Sequence, residues 1–528
     1  MRRKFRLVAL VSILPALWPA LPASAIPAPG SKSAAQAADF NADGYADLAV
    51  GVPSESVGGQ DEAGAVNVLY GTERGLAASG NQLWHQNSPG VLGVAGQYDN
   101  FGASLAQADF NGDGFIDLAV GARREDEPSA EFAGAVSVLY GSATGLVAQG
   151  NQFWSQDSPG VSEVSEYQDL FGHALAAGDF DADGYAELAI GVPNEDTGGN
   201  SYSGAVHVLS GSPEGLAVRG NDLWSQNIKG ILDQAELGDG FGSALTSGDF
   251  NGDGMTDLAV ASGHEGIGEI ESAGAVHILY GSDSGLSAEG DQFWDQDSPG
   301  VEGEADHHED FGWFALIAAD FNGDGFADIA IGVTGEATSG KESAGAVNVL
   351  YGSANGLRGV GSQLWHQDAP GVYERAEIYD GFGFDLGTGD FDGDGLMDLA
   401  IGVPSEGLIT ADEGAAHIVF GSPSGLSSTG AQFWTRTAPG VRDAAERGDM
   451  FGATLLAGAF LPGAEDDLGI AATWEHVPSG SSGYEGVVHV LPGAAEGLTG
   501  QGDQLWSQET PGVLERAEVF DSFGSSLA

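Results

Sequence analysis

The sequence predicts an all-β protein, a β-propeller of seven blades with four antiparallel strands in each blade. Three observations lead to this prediction: one unit of about 70 residues recurs along the chain, each unit contains four short runs of alternating apolar residues, and no run has the length and periodicity of a helix. Because one such sheet cannot bury a face alone, like sheets packed around an axis are the expected arrangement.

Two aromatic motifs mark the repeat, and each has seven members at regular spacing. Phe-Gly pairs begin at Phe101, Phe171, Phe241, Phe311, Phe382, Phe451 and Phe523. Tryptophan recurs at Trp84, Trp154, Trp224, Trp294, Trp365, Trp434 and Trp506. Consecutive markers of one kind lie 69 to 72 residues apart, so seven units are expected. We expect the tryptophans to pack between blades rather than to stack on sugars.

Each unit is interpreted as four strands joined by turns. In the second unit the runs are FGASLAQA, FIDLAVGA, GAVSVLYG and the stretch around NQFWSQ. Apolar alternation bounded by glycine-rich turns is typical of antiparallel strands. The fourth position of each third strand is polar, and we expect these side chains to share one strand face as hydrogen-bonding groups. They are Asn67, Ser137, His207, His277, Asn348, His417 and His489.

The two ends of the repeat array predict how the ring closes. Residues 523–528 correspond to residues 101–106, whereas the segment from residue 37 onward corresponds to the segment from residue 107 onward. One blade is therefore expected to be shared, with its inner strand from residues 520–528 and its other strands from residues 37–92. Closure of this kind removes the exposed edges of an open sheet array.

The predicted propeller domain spans residues 37–528, and the residues before it have a different character. Residues 2–6 carry four basic side chains, residues 7–21 form an apolar run, and residues 23–25 read Ala-Ser-Ala. This order is typical of a signal peptide, predicted for residues 1–25, with residues 26–36 as a short lead-in. We therefore expect a secreted protein that does not insert into a membrane.

Composition excludes several partners and one form of stabilisation. The chain holds 77 Asp and Glu against 17 Lys and Arg, a formal net charge of −60 at pH 7, so we expect it to repel nucleic acid and anionic lipid. It has no cysteine, so no disulfide can cross-link it. Metal sites and ring closure are the expected substitutes.

The loop after each first strand carries the strongest chemical pattern. In the second unit this loop covers residues 109–117, with oxygen-bearing side chains at its positions 1, 3, 5 and 9 and glycine at position 6. The arrangement resembles the first half of an EF-hand loop, in which position 7 adds its backbone carbonyl and Ca²⁺ is the preferred ion. Six loops keep the pattern, and each is predicted to hold one structural Ca²⁺. The predicted ligands, loop by loop, are Asp39, Asn41, Asp43, Tyr45 and Asp47; Asp109, Asn111, Asp113, Phe115 and Asp117; Asp179, Asp181, Asp183, Tyr185 and Glu187; Asp249, Asn251, Asp253, Met255 and Asp257; Asp320, Asn322, Asp324, Phe326 and Asp328; and Asp390, Asp392, Asp394, Leu396 and Asp398.

Two loops depart from the pattern. Glu187 stands where the others have aspartate, which lengthens that ligand arm. In the seventh loop Ala459, Leu461 and Gly463 replace oxygen ligands and Pro462 stiffens the turn, so no ion is expected there. An Asx-rich turn without metal is the alternative for any single loop, and six matching loops argue against it.

These residues resemble a known family. The stretch from the Phe-Gly pair at residue 101 to the Gly-Ala pair at residue 121 is similar to the FG-GAP repeat, found in secreted bacterial proteins and in the N-terminal propeller of integrin α subunits. The Gly-Ala-Pro part appears as Gly-Val-Pro at 51–53, 191–193 and 402–404. The resemblance covers essentially the whole predicted domain. It implies calcium in the loops of one face and partner binding by the loops of the other.

The same resemblance sets limits on the function. Integrin α subunits continue into β-sandwich domains and a transmembrane helix, and some FG-GAP enzymes, such as glycosylphosphatidylinositol-cleaving phospholipase D, carry a catalytic domain beside the propeller. Neither pattern occurs in these 528 residues, so we do not expect an integrin-like heterodimer.

A glutamate recurs in the loop after every second strand. Its seven members are Glu55, Glu125, Glu195, Glu265, Glu336, Glu406 and Glu475. We interpret them as carboxylates that accept backbone N–H groups of their own loops, with a cation or sugar site near the channel mouth as the alternative. Two other motifs receive structural interpretations: the cluster at 307–310 is expected to be solvent-exposed, and the Arg-Gly-Asp at 447–449 to be incidental.

The predicted function is an extracellular binding or adhesion module for a protein or glycan partner. We expect a monomer without enzyme activity. The alternatives are a polysaccharide lyase or hydrolase with its site in the central funnel, and a purely structural surface protein.

Overall fold

The structure of the protein, a computed structural model, describes residues 38–128, 130–220, 223–407, 412–476 and 483–528. Within these residues the regular elements are 28 strands, β1 to β28, and no helix is present. They form seven sheets of four antiparallel strands, as the repeat predicts. The predicted signal peptide and lead-in, residues 1–36, lie outside the described residues.

Every sheet has the same order from its first to its fourth strand. The first strands are β4 (Phe101–Ala108), β8 (Leu175–Gly178), β12 (Phe241–Gly248), β16 (Leu316–Ala319), β20 (Leu386–Gly389), β24 (Phe451–Gly458) and β28 (Ser526–Leu527). The second strands are β1 (Leu48–Val52), β5 (Asp117–Ala122), β9 (Glu187–Val192), β13 (Asp257–Ser262), β17 (Asp328–Val333), β21 (Asp398–Val403) and β25 (Asp467–Ala472). The third strands are β2 (Ala65–Tyr70), β6 (Ala135–Tyr140), β10 (Ala205–Leu209), β14 (Ala275–Tyr280), β18 (Ala346–Tyr351), β22 (Ala415–Phe420) and β26 (Val487–Leu491). The fourth strands are β3 (Ala77–Trp84), β7 (Val147–Trp154), β11 (Leu223–Trp224), β15 (Ser287–Trp294), β19 (Arg358–Trp365), β23 (Ser427–Trp434) and β27 (Gln504–Trp506).

The sheets stand in a closed ring. First strands of neighbouring blades contact one another in the circular order β28, β4, β8, β12, β16, β20, β24 and back to β28, so they line the axis. In the closing blade β28 pairs with β1, with Val50 opposite Leu527 and Gly51 opposite Ser526. Ala49 and Ala528 exchange two backbone hydrogen bonds of 2.7 and 3.0 Å. The predicted sharing of one blade between the two ends of the domain is confirmed.

The hydrophobic core lies between blades rather than within one sheet. Second and third strands are buried along almost their whole length, because both of their faces are covered by neighbouring blades. Seven apolar clusters each join two blades, and each contains one of the repeated tryptophans, as expected. Burial of one large apolar side chain stabilises the fold by about 1.5–3 kcal/mol. The apolar contacts between neighbouring blades are therefore a main source of stability of the ring.

The Phe-Gly pair fastens each blade to the one before it. Phe101 is fully buried, and its N–H donates to the carbonyl of Ala63 in the preceding blade at 2.9 Å. Gly102 has a φ of +89°, which favours glycine. Gly51, the first residue of a Gly-Val-Pro segment, faces it: a Cβ there would lie 2.2 Å from the Gly102 oxygen. The glycines of the motif are therefore required by a close approach of two backbones.

The antiparallel order divides the loops between two faces of the ring. Loops that join first to second strands and third to fourth strands lie at one end of the sheets, here called the hairpin face. Loops that join second to third strands and the linkers between blades lie at the other end, here called the linker face. Among the described residues no helix is long and apolar enough to cross a membrane.

Candidate cation loops and the pocket on the linker face

The acidic hairpin loops fold around their own side chains. In the loop of residues 109–117, Asp109 Oδ1 accepts the N–H of Asp113 at 3.1 Å. Asn111 Oδ1 accepts the same N–H at 2.8 Å, and Asp113 Oδ1 accepts the N–H of Phe115 at 3.0 Å. These bonds gather the side chains of positions 1, 3 and 5 over one turn, as the ligand pattern requires.

The other five acidic loops repeat this network. In each of them the position-3 side chain accepts the position-5 N–H at 2.8 to 3.1 Å. The position-5 side chain accepts the position-7 N–H at 2.8 to 3.2 Å, and these position-7 residues are Tyr45, Tyr185, Met255, Phe326 and Leu396. Six loops of one conformation therefore present the same set of hard oxygen donors.

Position 9 has a second role that the sequence reasoning missed. Asp117 is fully buried, and its two carboxylate oxygens accept the N–H groups of Phe110 at 3.0 Å and Gly141 at 2.9 Å. It thus ties the hairpin loop to the turn after the third strand. Burial raises the pKa of Asp117 to about 8, and repulsion from Asp109 and Asp113 adds to the rise. A nearby positive charge would stabilise the ionised form of this carboxylate.

Two loops bring three predicted carboxylate ligands close together. In the loop of residues 179–187, one oxygen from each of Asp179, Asp181 and Glu187 lies within 4.8 Å of the others. Glu187 makes the same two backbone bonds as the aspartates elsewhere, so its longer arm is accommodated. The loop of residues 390–398 gathers positions 1, 3 and 9 in the same way. Three carboxylates at this separation are suited to sharing one cation.

The loop of residues 459–467 keeps the clamp but not the ligands. Asp467 accepts the N–H groups of Leu461 at 2.5 Å and Gly493 at 3.1 Å, so it still ties the hairpin loop to the turn after the third strand, although its donor in the loop is position 3 rather than position 2. Positions 1, 3 and 5 have no side-chain oxygen. The clamp therefore holds the hairpin without the rest of the acidic set.

The repeated glutamates lie buried at the linker face and meet a side chain from the preceding blade. Glu336 Oε2 accepts the amide N–H of Gln296 at 2.8 Å. Each of five other glutamates accepts the amide N–H of the equivalent glutamine in its own preceding blade. The seventh, Glu475, accepts from Arg436. The prediction that these carboxylates accept backbone N–H groups of their own loops is therefore wrong, because the donors are side chains of the preceding blade. Burial raises the pKa of Glu265 to about 8, with Asp239 adding repulsion.

Two further sequence interpretations have structural outcomes. Asp449 of the Arg-Gly-Asp segment is 1% exposed and bonded to Arg436, so the tripeptide cannot present its carboxylate to a partner. Of the cluster at 307–310, His307 and His308 are exposed as expected, but Glu309 is buried.

A pocket of about 360 Å³ opens on the linker face among the loops of three neighbouring blades. Asn194 and Tyr202 follow β9, His264 follows β13, and Trp313 precedes β16. The rings of His264 and Trp313 stack with their centroids 3.9 Å apart and an interplanar angle of 13°. His264 Nε2 lies 3.9 Å from Asp310 Oδ1. The pocket thus combines aromatic rings with amide and hydroxyl groups.

The sequence pattern did not single out Trp313, because this residue is not one of the seven repeated tryptophans. It stands directly after a Phe-Gly pair, where four other units have a small residue. Those residues are Ala103, Ser243, Ala453 and Ser525. A departure from the repeat, rather than the repeat itself, is the pattern that would have found it.

Seven four-stranded blades in a closed ring, each fastened by a Phe-Gly pair, define the chain as a seven-bladed repeat propeller. The model of the FG-GAP repeat matches residues 33–69, 101–139, 171–209, 241–279, 311–350 and 382–419. The chain thus carries six FG-GAP repeats, and its propeller is of the FG-GAP, integrin-α-like kind. The six matches leave out the β24–β27 blade, whose hairpin has lost its acidic ligands.

Curated relatives match part of the chain. Phosphatidylinositol-glycan-specific phospholipase D of Rattus norvegicus is 33% identical over 181 residues, which is 34% of this chain and 20% of the relative. Integrin alpha pat-2 of Caenorhabditis briggsae is 28% identical over 308 residues, 56% of this chain and 22% of the relative. The chain thus spans about a fifth of the length of these relatives, one of which is an enzyme by name and one an integrin.

A solved structure shares the overall architecture only distantly. The periplasmic gluconolactonase PpgL of Pseudomonas aeruginosa is 13% identical, with a TM-score of 0.39, over 91% of this chain and 98% of that protein. A likeness this remote carries no functional argument.

Proposed function

We propose that the protein is a secreted, calcium-stabilised binding module that holds a glycan in the pocket beside Trp313. The single observation that carries the proposal is the composition of that pocket, in which unlike side chains from three blades converge. Loops that differ between otherwise equivalent units are where a repeat propeller acquires specificity.

The pocket offers the two kinds of contact that a sugar needs. The C–H faces of a sugar ring pack against aromatic rings, and its hydroxyl groups bond to amides and hydroxyls. Trp313 and His264 supply the rings, Asn194 supplies an amide, and Tyr202 supplies a phenol that is 45% exposed. A volume of about 360 Å³ suits one or two sugar units.

Calcium would stabilise the module through the hairpin face. Each acidic loop places its carboxylate and amide oxygens over one turn, where ionised carboxylates repel one another. A hard cation that takes oxygen ligands relieves this repulsion, and its binding energy adds to the folding energy. Mg²⁺ suits the loops less well, because it retains its water ligands.

Secretion rests on the order of residues 1–25, where a basic segment, an apolar run and Ala-Ser-Ala follow one another. Because the chain has no cysteine, a secreted form needs a source of stability other than disulfides, and we propose that calcium in the acidic loops provides it.

The glycan proposal is tested by binding of the full chain to an oligosaccharide array in millimolar calcium. We expect Trp313→Ala to abolish capture of the bound sugars. Trp474→Ala is the matched control, because Trp474 is also exposed on the linker face but belongs to another blade. Equal loss in both variants, or retention in Trp313→Ala, would rule out this pocket.

An extracellular lyase or hydrolase is the second candidate. It is favoured by the pairing of His264 with Asp310, since a histidine beside a carboxylate is an arrangement used for general base catalysis. Incubation with the sugars that bind, followed by chromatography of the products, separates the two candidates. Cleavage that is lost in His264→Gln would support the enzyme and contradict the pure binding role.

A further inference from the structure

Two buried acids and one amide meet at the junction between neighbouring blades on the linker face. Between the β8–β11 and β12–β15 blades the three residues are Gln226, Asp239 and Glu265, and each is at most 2% exposed. Gln226 lies two residues after the repeated tryptophan, Asp239 two residues before the Phe-Gly pair, and Glu265 in the loop after β13. The Gln226 amide N–H donates to Glu265 Oε2, and Asp239 Oδ2 accepts the N–H of Glu236.

The same three positions meet at six of the seven junctions, hereafter the glutamine junctions. Each takes its glutamine from one blade, its first acid from the linker and its glutamate from the next blade. They are Gln86, Asp99 and Glu125; Gln156, Asp169 and Glu195; Gln226, Asp239 and Glu265; Gln296, Glu309 and Glu336; Gln367, Asp380 and Glu406; and Gln508, Asp521 and Glu55.

Every glutamine junction contains a buried oxygen that lacks a donor. The Oε1 atoms of all six glutamines are enclosed and have no hydrogen-bond partner among the described residues, although the same amide groups bond the glutamates through Nε2. Asp521 Oδ1 is also buried without a partner, and one oxygen from each of Glu55, Glu518 and Asp521 lies within 4.8 Å of the others. Buried acceptors are almost always satisfied in native proteins, so a recurrent unsatisfied oxygen beside two acids points to a positive partner.

The seventh junction shows what kind of partner fits. There Arg436 replaces the glutamine, and its side chain is fully buried. Its Nη1 bonds Asp449 Oδ2 at 2.5 Å and also Glu475 Oε2, and its Nη2 lies 3.3 Å from Asp443 Oδ2. The chain itself therefore places a cationic group between the two acids at the one junction that has no glutamine.

We propose that the six glutamine junctions are a second set of cation sites, each suited to a hard divalent ion such as Ca²⁺. The ligands at each would be the two carboxylates and the glutamine carbonyl oxygen, an all-oxygen set whose two charges match one divalent ion. These sites lie on the face opposite to the hairpin loops and do not depend on them. An ion here would join three segments from two blades, so it would fasten the ring from the linker face.

Calcium-binding stoichiometry of the full chain tests the proposal, measured by equilibrium dialysis with radioactive calcium. Gln226→Arg copies the natural arrangement of Arg436 into a glutamine junction, and we expect it to bind one ion fewer. Arg436→Gln makes the reverse change, and we expect it to bind one ion more. A gain of an ion cannot be produced by partial unfolding, so this variant protects the test against a folding defect in the first.

A hairpin variant in the same blade separates this proposal from the calcium loops. Asp253→Ala should also lose one ion, and the double variant with Gln226→Arg should lose two. Loss in Asp253→Ala alone, with both junction variants at the wild-type number, would overturn the junction sites and leave the acid pairs sharing a proton. Anomalous diffraction from manganese-soaked crystals of the unaltered protein gives an independent answer: peaks beside the six glutamine oxygens support the proposal, and their absence refutes it.

Discussion

The β24–β27 blade differs from the other six blades at both ends of its sheet. On the hairpin face its loop of residues 459–467 retains the clamp of Asp467 but has no oxygen ligand at positions 1, 3 and 5. On the linker face its Glu475 is paired with Arg436, where the equivalent glutamates of the other blades meet a glutamine. If cations occupy the proposed sites, both changes should make this blade less dependent on them.

The comparison indicates how an acidic propeller can hold together. Where the repeat concentrates carboxylates, a nearby positive charge would stabilise their ionised forms, and in the β24–β27 blade Arg436 supplies that charge. The guanidinium of Arg436 opposes the rise that burial imposes on the pKa of Glu475. In the other blades this compensation would come from ions, so their stability should follow the calcium concentration, whereas that of the β24–β27 blade should not.

Removal of calcium should have the largest effect on stability, and it should affect the six blades with acidic hairpins more than the β24–β27 blade. Each occupied site stabilises the fold by about 2.7 kcal/mol when free calcium is one hundred times its dissociation constant, so loss of six hairpin ions should lower the melting temperature strongly. Hydrogen exchange should accelerate in the six acidic hairpins and remain nearly unchanged in residues 459–467. Uniform acceleration in all seven hairpins, or an unchanged melting curve in excess chelator, would contradict the comparison.

Removal of the encoded charge should destabilise the β24–β27 blade specifically. Arg436→Met leaves Asp449 and Glu475 buried without their cationic partner, which should cost about 3–5 kcal/mol in the free energy of unfolding. Urea unfolding monitored by tryptophan fluorescence measures this loss. The control is Arg74→Met, because Arg74 lies on the surface beside Glu73 and should contribute little.

Loss of a single hairpin ligand should have a smaller effect. Asp113→Ala removes the position-5 ligand of one loop, and we expect one bound ion fewer and a loss of about 2.7 kcal/mol at one hundred times the dissociation constant. Gly463→Ala changes the same position of the loop that lacks ligands, and its backbone has room for a Cβ. If the two substitutions alter the calcium stoichiometry equally, the ligand assignment of position 5 is wrong.

Lowering the pH should reveal a still smaller difference between the blades, measured as a change in the free energy of unfolding. His417 is packed against the rings of Phe382 and Phe433, and burial lowers its pKa to about 3. Below about pH 6.5 the unfolded chain takes up a proton that the folded chain does not, so the free energy of unfolding falls as the pH decreases towards 3. His417→Asn, which copies Asn348 of another blade, should recover about 2 kcal/mol at pH 5 relative to its effect at pH 7.

The equivalent histidine of the β24–β27 blade provides the control for this acid test. The Nδ1 atom of His489 lies 3.1 Å from Asp503 Oδ2, so His489→Asn removes a partner from a buried carboxylate. Chemical denaturation of both variants at the two pH values measures the difference, and equal pH profiles would show that burial of His417 does not govern acid sensitivity.

Blade number and strand order were predictable because the same pattern recurs in seven units, and ring closure was predictable from the two ends of the repeat array. The Phe-Gly pairs and tryptophans locate every blade. Residues 523–528 correspond to a first strand, and the N-terminal part of the domain begins directly after the position of a first strand, so the two ends are expected to share one blade. The gathering of acidic side chains in each hairpin loop was also predictable, because these residues lie within nine consecutive positions, whereas their role as ligands stays a prediction. Local patterns of this kind need no knowledge of tertiary packing.

The linker face was predicted less well because its contacts cross from one blade to the next. Gln86 and Glu125 are 39 residues apart and belong to different blades, so comparison of equivalent positions never placed them side by side. A glutamine 39 or 40 residues before the glutamate is visible in the sequence at five of the six junctions, but only the closed ring shows that the two side chains are in contact. Trp313 and Arg436 were not predicted for a related reason. Each departs from the residue type of the equivalent positions, and the prediction used the residues that recur.

The two-residue strand β28 gives the ring a mechanical weak point. Backbone pairing between residues 49–51 and residues 524–528 connects the last segment of the chain to β1. When the protein is pulled by the two ends of its domain, the force acts on this short seam before it reaches any complete blade. An ion in the loop of residues 39–47 would lie directly beside the seam, and calcium would then determine how much tension the circle withstands before it opens.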